Sequence, residues 1–482
     1  MPKQLKYILF SVGLGLLAWA LVWQNHDFRI AAMAGVTVLM AALWITEAIP
    51  LGATSLLPIG LFPMLGIANV SDVTAQYGHH IIFLFLAGFI LAYAMEKWKL
   101  HQRIAFKIIG VVGFSPSRIL LGFMLASFVL SMWISNLATT ILLLAPALAV
   151  IQEVNQKSKN GSAFAIALLL GISYASSIGG TATPLGTAPN LIFMSLWEEN
   201  FKDVKAIGFP EWMRFALPVS IILFIPIFWH LKRSFGLKDL EVSANDLKAK
   251  VKSLTKMTYE EIVVSAIFLA LIALWLTRRD LDLGLVELQG WGDLFPYSDM
   301  IKDSTIGILL VNLLFFIPSK QNAEKQIIEW GDVKKLPYEI LLLFGGGFSL
   351  ALGFKESGLD KVIASQLEPL ATWPLWLIIL GICLFVTFLT EITSNTATTQ
   401  LLLPLLIIMA NTTGVNPLYL MVPATLSASF AFMLPVATPP NAIVYSTEMI
   451  PMKTMMRTGL ILNFIAALIL TVLAYFFTEI LI

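Results

Sequence analysis

Apolar runs of membrane-crossing length recur along this chain, separated by short polar stretches. A spanning helix needs roughly 20 mostly apolar residues, and such runs lie near 7–23, 29–46, 51–67, 81–97, 163–182, 212–231, 260–277, 302–317, 338–354, 418–437 and 455–480. The pattern predicts eleven spans. Two more apolar stretches, near 115–150 and 370–410, are too long for one span and too short for two with a proper loop. Each carries small polar residues in mid-run, Ser135-Asn136-Leu137 in the first and Ser394-Asn395-Thr396 in the second. They predict re-entrant helical hairpins, because non-helical backbone survives at membrane depth only where protein or a water-filled cavity satisfies it. The fold class that follows is an all-α polytopic membrane protein of eleven helices plus two hairpins.

Composition agrees. Hydrophobic residues make up 58% of the chain and charged ones 13%, with a mean hydropathy of +0.82, whereas soluble domains carry about 25% charged residues. With 31 basic against 30 acidic side chains, no nucleic-acid partner is suggested. The single cysteine, Cys383, excludes an internal disulfide and reads as a core residue. The N-terminal Met-Pro-Lys-Gln-Leu-Lys-Tyr leads into an apolar run without a small-residue cleavage site, which predicts a retained first helix.

Charge position sets the expected orientation. With Lys3 and Lys6 cytoplasmic, the cytoplasmic loops are those near 97–118, 232–256, 318–336 and 447–457, and they hold the basic clusters, including Lys97, Lys99, Arg103, Lys107 and Arg118, then Lys232, Arg233, Lys238 and Lys248. The loop at 278–300 lies opposite, where Asp280, Asp282, Glu287, Asp293 and Asp299 outnumber Arg278 and Arg279. An odd span count then leaves the C-terminus outside.

The chain also repeats itself. Ser394 lies 259 positions after Ser135, and Gly347-Phe348 lies the same distance after Gly88-Phe89. Each half reads as an apolar segment with Gly-Phe, a charged amphipathic stretch, a hairpin with Ser-Asn-X-Ala-Thr-Thr, and a Leu-rich run to Pro146 or Pro404. Each ends in a second break, Thr183-Pro184-Leu185-Gly186-Thr187-Ala188-Pro189-Asn190 or Ala437-Thr438-Pro439-Pro440-Asn441, pairing Thr187 with Thr438 and Asn190 with Asn441. By the expected topology the hairpins enter from opposite sides, so the repeats are inverted. Inverted repeats with interrupted helices at matching positions point to the binding site of a secondary transporter.

The residue types fit ion and anion chemistry. A hard cation such as sodium takes oxygen ligands, which Ser, Thr, Asn and the carbonyls of unwound helices supply. An anion takes orphan amides at helix N-termini and the positive end of the dipole. No Lys or Arg lies within either motif or break, so an anionic substrate must be held by dipoles, hydroxyls, Asn amides and bound cations. A lone Ser-Asn pair in a membrane helix is most often interhelical glue, but two copies in register, each followed by a Pro-broken helix, favour a site. Glu391 reads as an acid that caps a hairpin helix or sits in an aqueous vestibule, against the functional reading an intramembrane acid invites. Glu47 reads as the end of a helix, His79 and His80 as interfacial residues without a metal pattern, and the basic run at 232–256 as a cytoplasmic amphipathic segment. An intramembrane serine hydrolase is disfavoured because no His or Lys lies near either Ser-Asn pair, and a channel because paired broken helices suit alternating access.

Trp44-Ile45-Thr46-Glu47-Ala48-Ile49-Pro50, the two Ser-Asn motifs, Gly186-Thr187-Ala188-Pro189-Asn190 and Ala437-Thr438-Pro439-Pro440-Asn441 resemble the divalent anion/sodium symporter family of INDY-type dicarboxylate transporters, from about residue 30 to the end. The resemblance implies a homodimer in a bacterial plasma membrane, each protomer with a scaffold domain and an elevator-type transport domain. On the present chain this divides into 1–114 (scaffold helices and lead-in), 115–210 (transport hairpin and broken helix), 211–354 (linking helix, cytoplasmic loop and scaffold) and 355–482 (the second transport hairpin, broken helix and final helix). It implies one sodium site at Ser131, Ser135, Asn136 and the Gly186 backbone, and another at Thr390, Thr393, Asn395 and the Ala437 backbone. Substrate carboxylates would meet Ser135, Asn136, Leu137 and Thr187 on one side and Ser394, Asn395, Thr396, Thr438 and Pro439 on the other. Sodium is the coupling ion, no cofactor is implied, and the expected substrate is a C4-type dicarboxylate such as succinate, malate or fumarate. One position departs: the family motif is Ser-Asn-Thr twice, and Leu137 replaces the first Thr. Sodium-independent dicarboxylate exchange stays open as the alternative.

Overall fold

The computed structural model describes residues 3–155, 161–204, 206–237, 245–282, 287–322 and 324–478. Lys238, the first two residues and the last residues of the final expected span lie outside them. The chain is almost entirely helical, its described strands being a two-residue hairpin that pairs Leu281 with Leu288 and Asp282 with Glu287.

Helix α1 (Lys3–Trp23) packs on α2 (Phe28–Thr46) at a glycine contact, where a Cβ on Gly15 would lie 2.9 Å from the Gly35 carbonyl. Leu9, Phe10, Leu16, Leu17 and Leu21 on α1 are exposed, as suits a lipid-facing surface. Asp27 caps α2 by accepting from the Ile30 amide at 3.1 Å, and Glu47 ends it with a left-handed φ of 46°, in line with the reading of Glu47 as a terminus. The expected span at 51–67 is instead two short helices, α3 (Leu51–Ser55) and α4 (Leu57–Met64), because Pro58 and Pro63 remove amide donors within 14 residues. Next come α5 (Val70–Ala75), α6 (His80–Lys97) and the amphipathic α7 (Leu100–Val112).

Both hairpins are present: α8 (Pro116–Ser131) and α9 (Asn136–Asn155), and, in the second half, α19 (Leu375–Thr390) and α20 (Asn395–Thr413). The first break separates α10 (Gly161–Thr181) from α11 (Ala188–Asn200); Pro184 cannot extend the former and Pro189 starts the latter. Between the halves run α12 (Phe209–Ser234), α13 (Asn245–Lys252), α14 (Tyr259–Leu276), α15 (Asp303–Phe316), α16 (Trp330–Val333), α17 (Tyr338–Ser357) and α18 (Leu359–Leu367). Leu247 of α13 is buried and Lys248 lies over the Phe114 ring at 5.6 Å, so the 245–252 part of the basic run forms an amphipathic helix, while 238–244 lie outside the described residues. The chain closes with α21 (Leu418–Ser427), α22 (Pro439–Tyr445) and α23 (Met452–Phe477).

Nine helices among the described residues are long and apolar enough to cross a membrane. Eight coincide with expected spans and the ninth, 136–154, is the second arm of the first hairpin. The expected span at 418–437 stops at Ser427: the last ten apolar residues are unwound rather than helical, and a hydropathy window does not separate the two. A large core surrounds α10, with Tyr174, Phe123 and Phe164 fully buried, and a smaller one joins α2, α4 and α17 through Met33, Trp44, Phe62 and Leu350.

The repeat reaches single hydrogen bonds. Asn190 Nδ2 donates to the carbonyls of Gly180 (3.1 Å) and Thr183 (2.7 Å), and Asn441 Nδ2 donates to those of Ala431 (2.9 Å) and Leu434 (3.0 Å). Each of the three positions is displaced by 251 residues. In both halves a buried Asn thus satisfies the carbonyls that a broken helix leaves without partners.

Candidate functional site

The two hairpin turns and the two breaks meet at one cavity of about 710 Å³. Ser135, Asn136 and Leu137 enter from the first turn, Thr393, Ser394, Asn395 and Thr396 from the second. Gly186 and Thr187 come from the first break, Ala437, Thr438 and Pro439 from the second. Twelve of the fourteen residues expected at the site therefore line the cavity. The other two, Ser131 and Thr390, are buried one layer behind.

Those two hold the turns in matching ways. Ser131 Oγ donates to Asn136 Oδ1, and Thr390 Oγ1 donates to Asn395 Oδ1 at 2.7 Å, so each hydroxyl at the end of a hairpin's first arm orients the Asn that opens the second. Thr390 also donates to the Ala428 carbonyl (2.9 Å), tying the turn to the second break. In the first half a Cβ on Gly180 would lie 2.6 Å from Asn136 Oδ1, and one on Gly186 would lie 2.7 Å from the Ser131 carbonyl. Glycine at both positions lets carbonyl, hydroxyl and amide oxygens crowd around one point, which is the donor set a hard monovalent cation requires. In the second half Thr393 Oγ1 meets Thr398 Oγ1 at 2.5 Å beside the same Asn.

Helices α9, α11 and α20 all begin at the cavity, and the short α22 begins there too. Their first turns carry unpaired amides and positive dipole ends. Ser135 Oγ accepts from the Ala138 amide (3.2 Å) and Thr438 Oγ1 from the Asn441 amide (3.3 Å), so these two side chains cap their helices. No lysine or arginine occurs among the lining residues, and Glu47 is the one charged member. The site can hold an anion between dipole ends while oxygens behind each turn take cations.

The sequence reading missed the far wall, built by Ile45, Thr46 and Glu47 with Phe85, Phe89, Trp133 and Ile340. Trp44-Ile45-Thr46-Glu47-Ala48-Ile49-Pro50 is a recognisable motif in the chain, but nothing in its spacing shows that a helix end faces the cavity. Leu137 is 42% exposed and Val436 81%, so apolar surface is presented to the cavity as well. Glu391 is neither solvated nor a simple cap: it is 3% exposed and accepts from the Met433 amide (2.9 Å), the Leu434 amide (3.0 Å) and Asn463 Nδ2 (2.7 Å). His80, expected as an interfacial residue, has a partner in Glu198 of α11 at 3.1 Å, which Lys302 also engages at 2.9 Å. His79 accepts from the Ile81 amide and packs its ring on Phe348.

Paired hairpins and broken helices around one polar cavity, in a chain this apolar, define a membrane protein of the secondary-transporter class. The chain belongs to the family described as the sodium:sulfate symporter transmembrane region, whose model matches residues 19–482. It is 42% identical over 451 residues to a protein of Staphylococcus saprophyticus named sodium-dependent dicarboxylate transporter SdcS, covering 92% of this chain and 85% of that one. It is 43% identical over 465 residues to the SdcS of Staphylococcus aureus strain NCTC 8325, covering 94% and 87%. Among solved structures its fold resembles Neisseria gonorrhoeae MtrF, with a TM-score of 0.60, 13% identity and coverage of 94% of this chain and 95% of that one. The Alcanivorax borkumensis YdaH transporter gives a TM-score of 0.53 at 15% identity, covering 84% and 86%.

Proposed function

We propose that this protein moves a small dicarboxylate across the membrane together with sodium. One observation carries the reading: two pseudo-symmetric turns present Asn136 and Asn395 to a single cavity where helix N-termini converge and no lysine or arginine is present. A doubly negative substrate in such a site needs compensating charge, and oxygen-lined pockets behind each turn offer it as bound cations. The relatives that carry the name sodium-dependent dicarboxylate transporter support the same reading.

The first cation site uses Ser131, Ser135, Asn136 and the Gly186 backbone, and the second uses Thr390, Thr393, Asn395 and the Ala437 backbone. The substrate lies between them, against Ser135, Asn136, Leu137 and Thr187 on one side and Ser394, Asn395, Thr396, Thr438 and Pro439 on the other. Segments 115–210 and 355–482 form the moving transport unit, and 1–114 with 211–354 form the scaffold of a homodimer. The hairpins enter from opposite faces as inverted repeats, with the N-terminus cytoplasmic and the C-terminus outside.

Proteoliposomes test this directly. Labelled succinate is expected to accumulate faster under an inward sodium gradient than under a matched potassium gradient. Equal rates, with uptake that requires dicarboxylate inside, would replace symport with exchange.

A further inference from the structure

Glu391 stands out as a buried acid to which the transport site assigns no ligand role. Its environment differs sharply from that of its repeat mate. Helix α10 runs to Thr181, which corresponds in register to Phe432, but α21 stops five residues earlier, at Ser427. The amides of Ala428, Ser429 and Phe430 still find backbone carbonyls, those of Ala424, Leu426 and Ser427. The amides of Met433 and Leu434 do not, and both donate to the Glu391 carboxylate, at 2.9 and 3.0 Å. Backbone donors without partners at membrane depth are costly, and a carboxylate with two oxygens is the side chain that can accept several.

In the first half the position of Glu391 is Met132 and that of Leu434 is Thr183. There the contact is neutral: Thr183 Oγ1 donates to the Met132 carbonyl. The same two positions are thus joined in both halves, once by a hydroxyl and once by a carboxyl group. Among the described residues no Lys, Arg or His forms an ion pair with Glu391, although it is 3% exposed. A buried carboxylate without a countercharge is strongly unfavourable, and a cation bound beside Thr390 and Thr393 would offset that cost.

We propose that Glu391 is the positioning residue of the second cation site, bracing the unwound segment through the Met433 and Leu434 amides while its charge makes this site the tighter of the two. The inference rests on the reading of the cavity as a sodium-coupled site. Bracing fixes the stretch that ends at Ala437, whose backbone is the proposed ligand, and the Asn463 amide anchors the same carboxylate to α23 at 2.7 Å. The first site, lacking an acid at Met132, fills at higher sodium.

The test uses the purified full chain with Glu391→Gln. Sodium is titrated against choline at constant ionic strength, reading the thermal unfolding midpoint without substrate and, in proteoliposomes, succinate uptake. The sodium concentration for half-maximal effect is expected to rise about tenfold in both, while the succinate KM at saturating sodium changes less than about threefold, since one charged hydrogen-bond set is lost and no substrate contact is. Asn463→Ala, which removes one donor and leaves the charge, shifts the sodium titration less and in the same direction; it carries the test if Glu391→Gln does not fold. An unchanged sodium titration, or equal shifts for sodium and succinate, overturns the proposal. Amide hydrogen exchange across 431–437 is read alongside: faster exchange in Glu391→Gln is expected, and identical exchange overturns the bracing. A wild-type protein that ignores sodium in both assays removes the symport reading and the charge role with it, and exchange at 431–437 then decides the bracing alone.

Discussion

The two hairpin turns of this protein share a plan and differ in chemistry. In each, a hydroxyl from the first arm, Ser131 or Thr390, orients the Asn that opens the second arm. In each, a buried Asn in the following break, Asn190 or Asn441, gathers two carbonyls at matching positions. The first turn then adds glycines, Leu137 and a neutral contact at Met132; the second adds Thr393, Thr396 and the Glu391 carboxylate. The shared parts build the cavity in which the proposed anion lies, between two dipole-rich faces. The unshared parts make the faces unequal, so one half is richer in hydrogen-bonding groups and holds the buried acid.

The shared part is broken most completely at the turns. Asn136→Ala and Asn395→Ala are each expected to lower succinate uptake by at least about a hundredfold, as removing a preorganised polar contact and its oriented helix start costs several kcal/mol. Normal size-exclusion profiles would show that folding survives, and uptake near wild type in either variant would dissolve the equivalence of the halves. Gly186→Ala ranks next. Its Cβ would meet the Ser131 carbonyl and the Gly180 Cα at 2.7 Å, so the first turn must shift, and sodium affinity is expected to fall about tenfold or more. A sodium titration of uptake reads this, and an unaltered titration would detach Gly186 from the cation.

Asn441→Leu is expected to lower stability by about 2–3 kcal/mol, because it leaves the Ala431 and Leu434 carbonyls buried without a donor. Asn190→Leu should behave alike, and a differential thermal-denaturation comparison in detergent checks whether the two breaks are equally dependent on their Asn. Leu137→Thr is the smallest change. Adding the hydroxyl its mate Thr396 possesses should alter dicarboxylate affinity by no more than about 0.5–1.5 kcal/mol. An unchanged preference among succinate, malate and citrate in a competition assay would mean that Leu137, though exposed to the cavity, does not touch the substrate.

Much of this was legible in the chain itself. Small polar residues in register within two over-long apolar runs announced the hairpins, and Pro184 and Pro189 announced the first break. The pairing of Asn190 with Asn441 survived down to individual hydrogen bonds, whereas Thr438 caps its helix through its side chain and Thr187 does not. The second break was less visible. Ala428 through Ala437 read as the end of a span, because hydropathy does not distinguish a helix from an unwound apolar segment, and the acid that supports the segment lies more than 40 positions before Met433, at Glu391. The interruption of the third apolar run was not read from the sequence, although Pro58 and Pro63 lie within it. The cavity wall of Phe85, Trp133 and Glu47 depends on how distant helices pack, and no local pattern encodes that.

The central claim is that both halves close on one dicarboxylate with sodium as the compensating charge. Calorimetric titration of succinate into the purified protein tests it most directly. One molecule per chain is expected to bind in sodium chloride, with binding at least about tenfold weaker in choline chloride and lost in Asn136→Ala and Asn395→Ala alike. Equal affinity in sodium and choline, or binding that persists when either Asn is removed, would contradict the account.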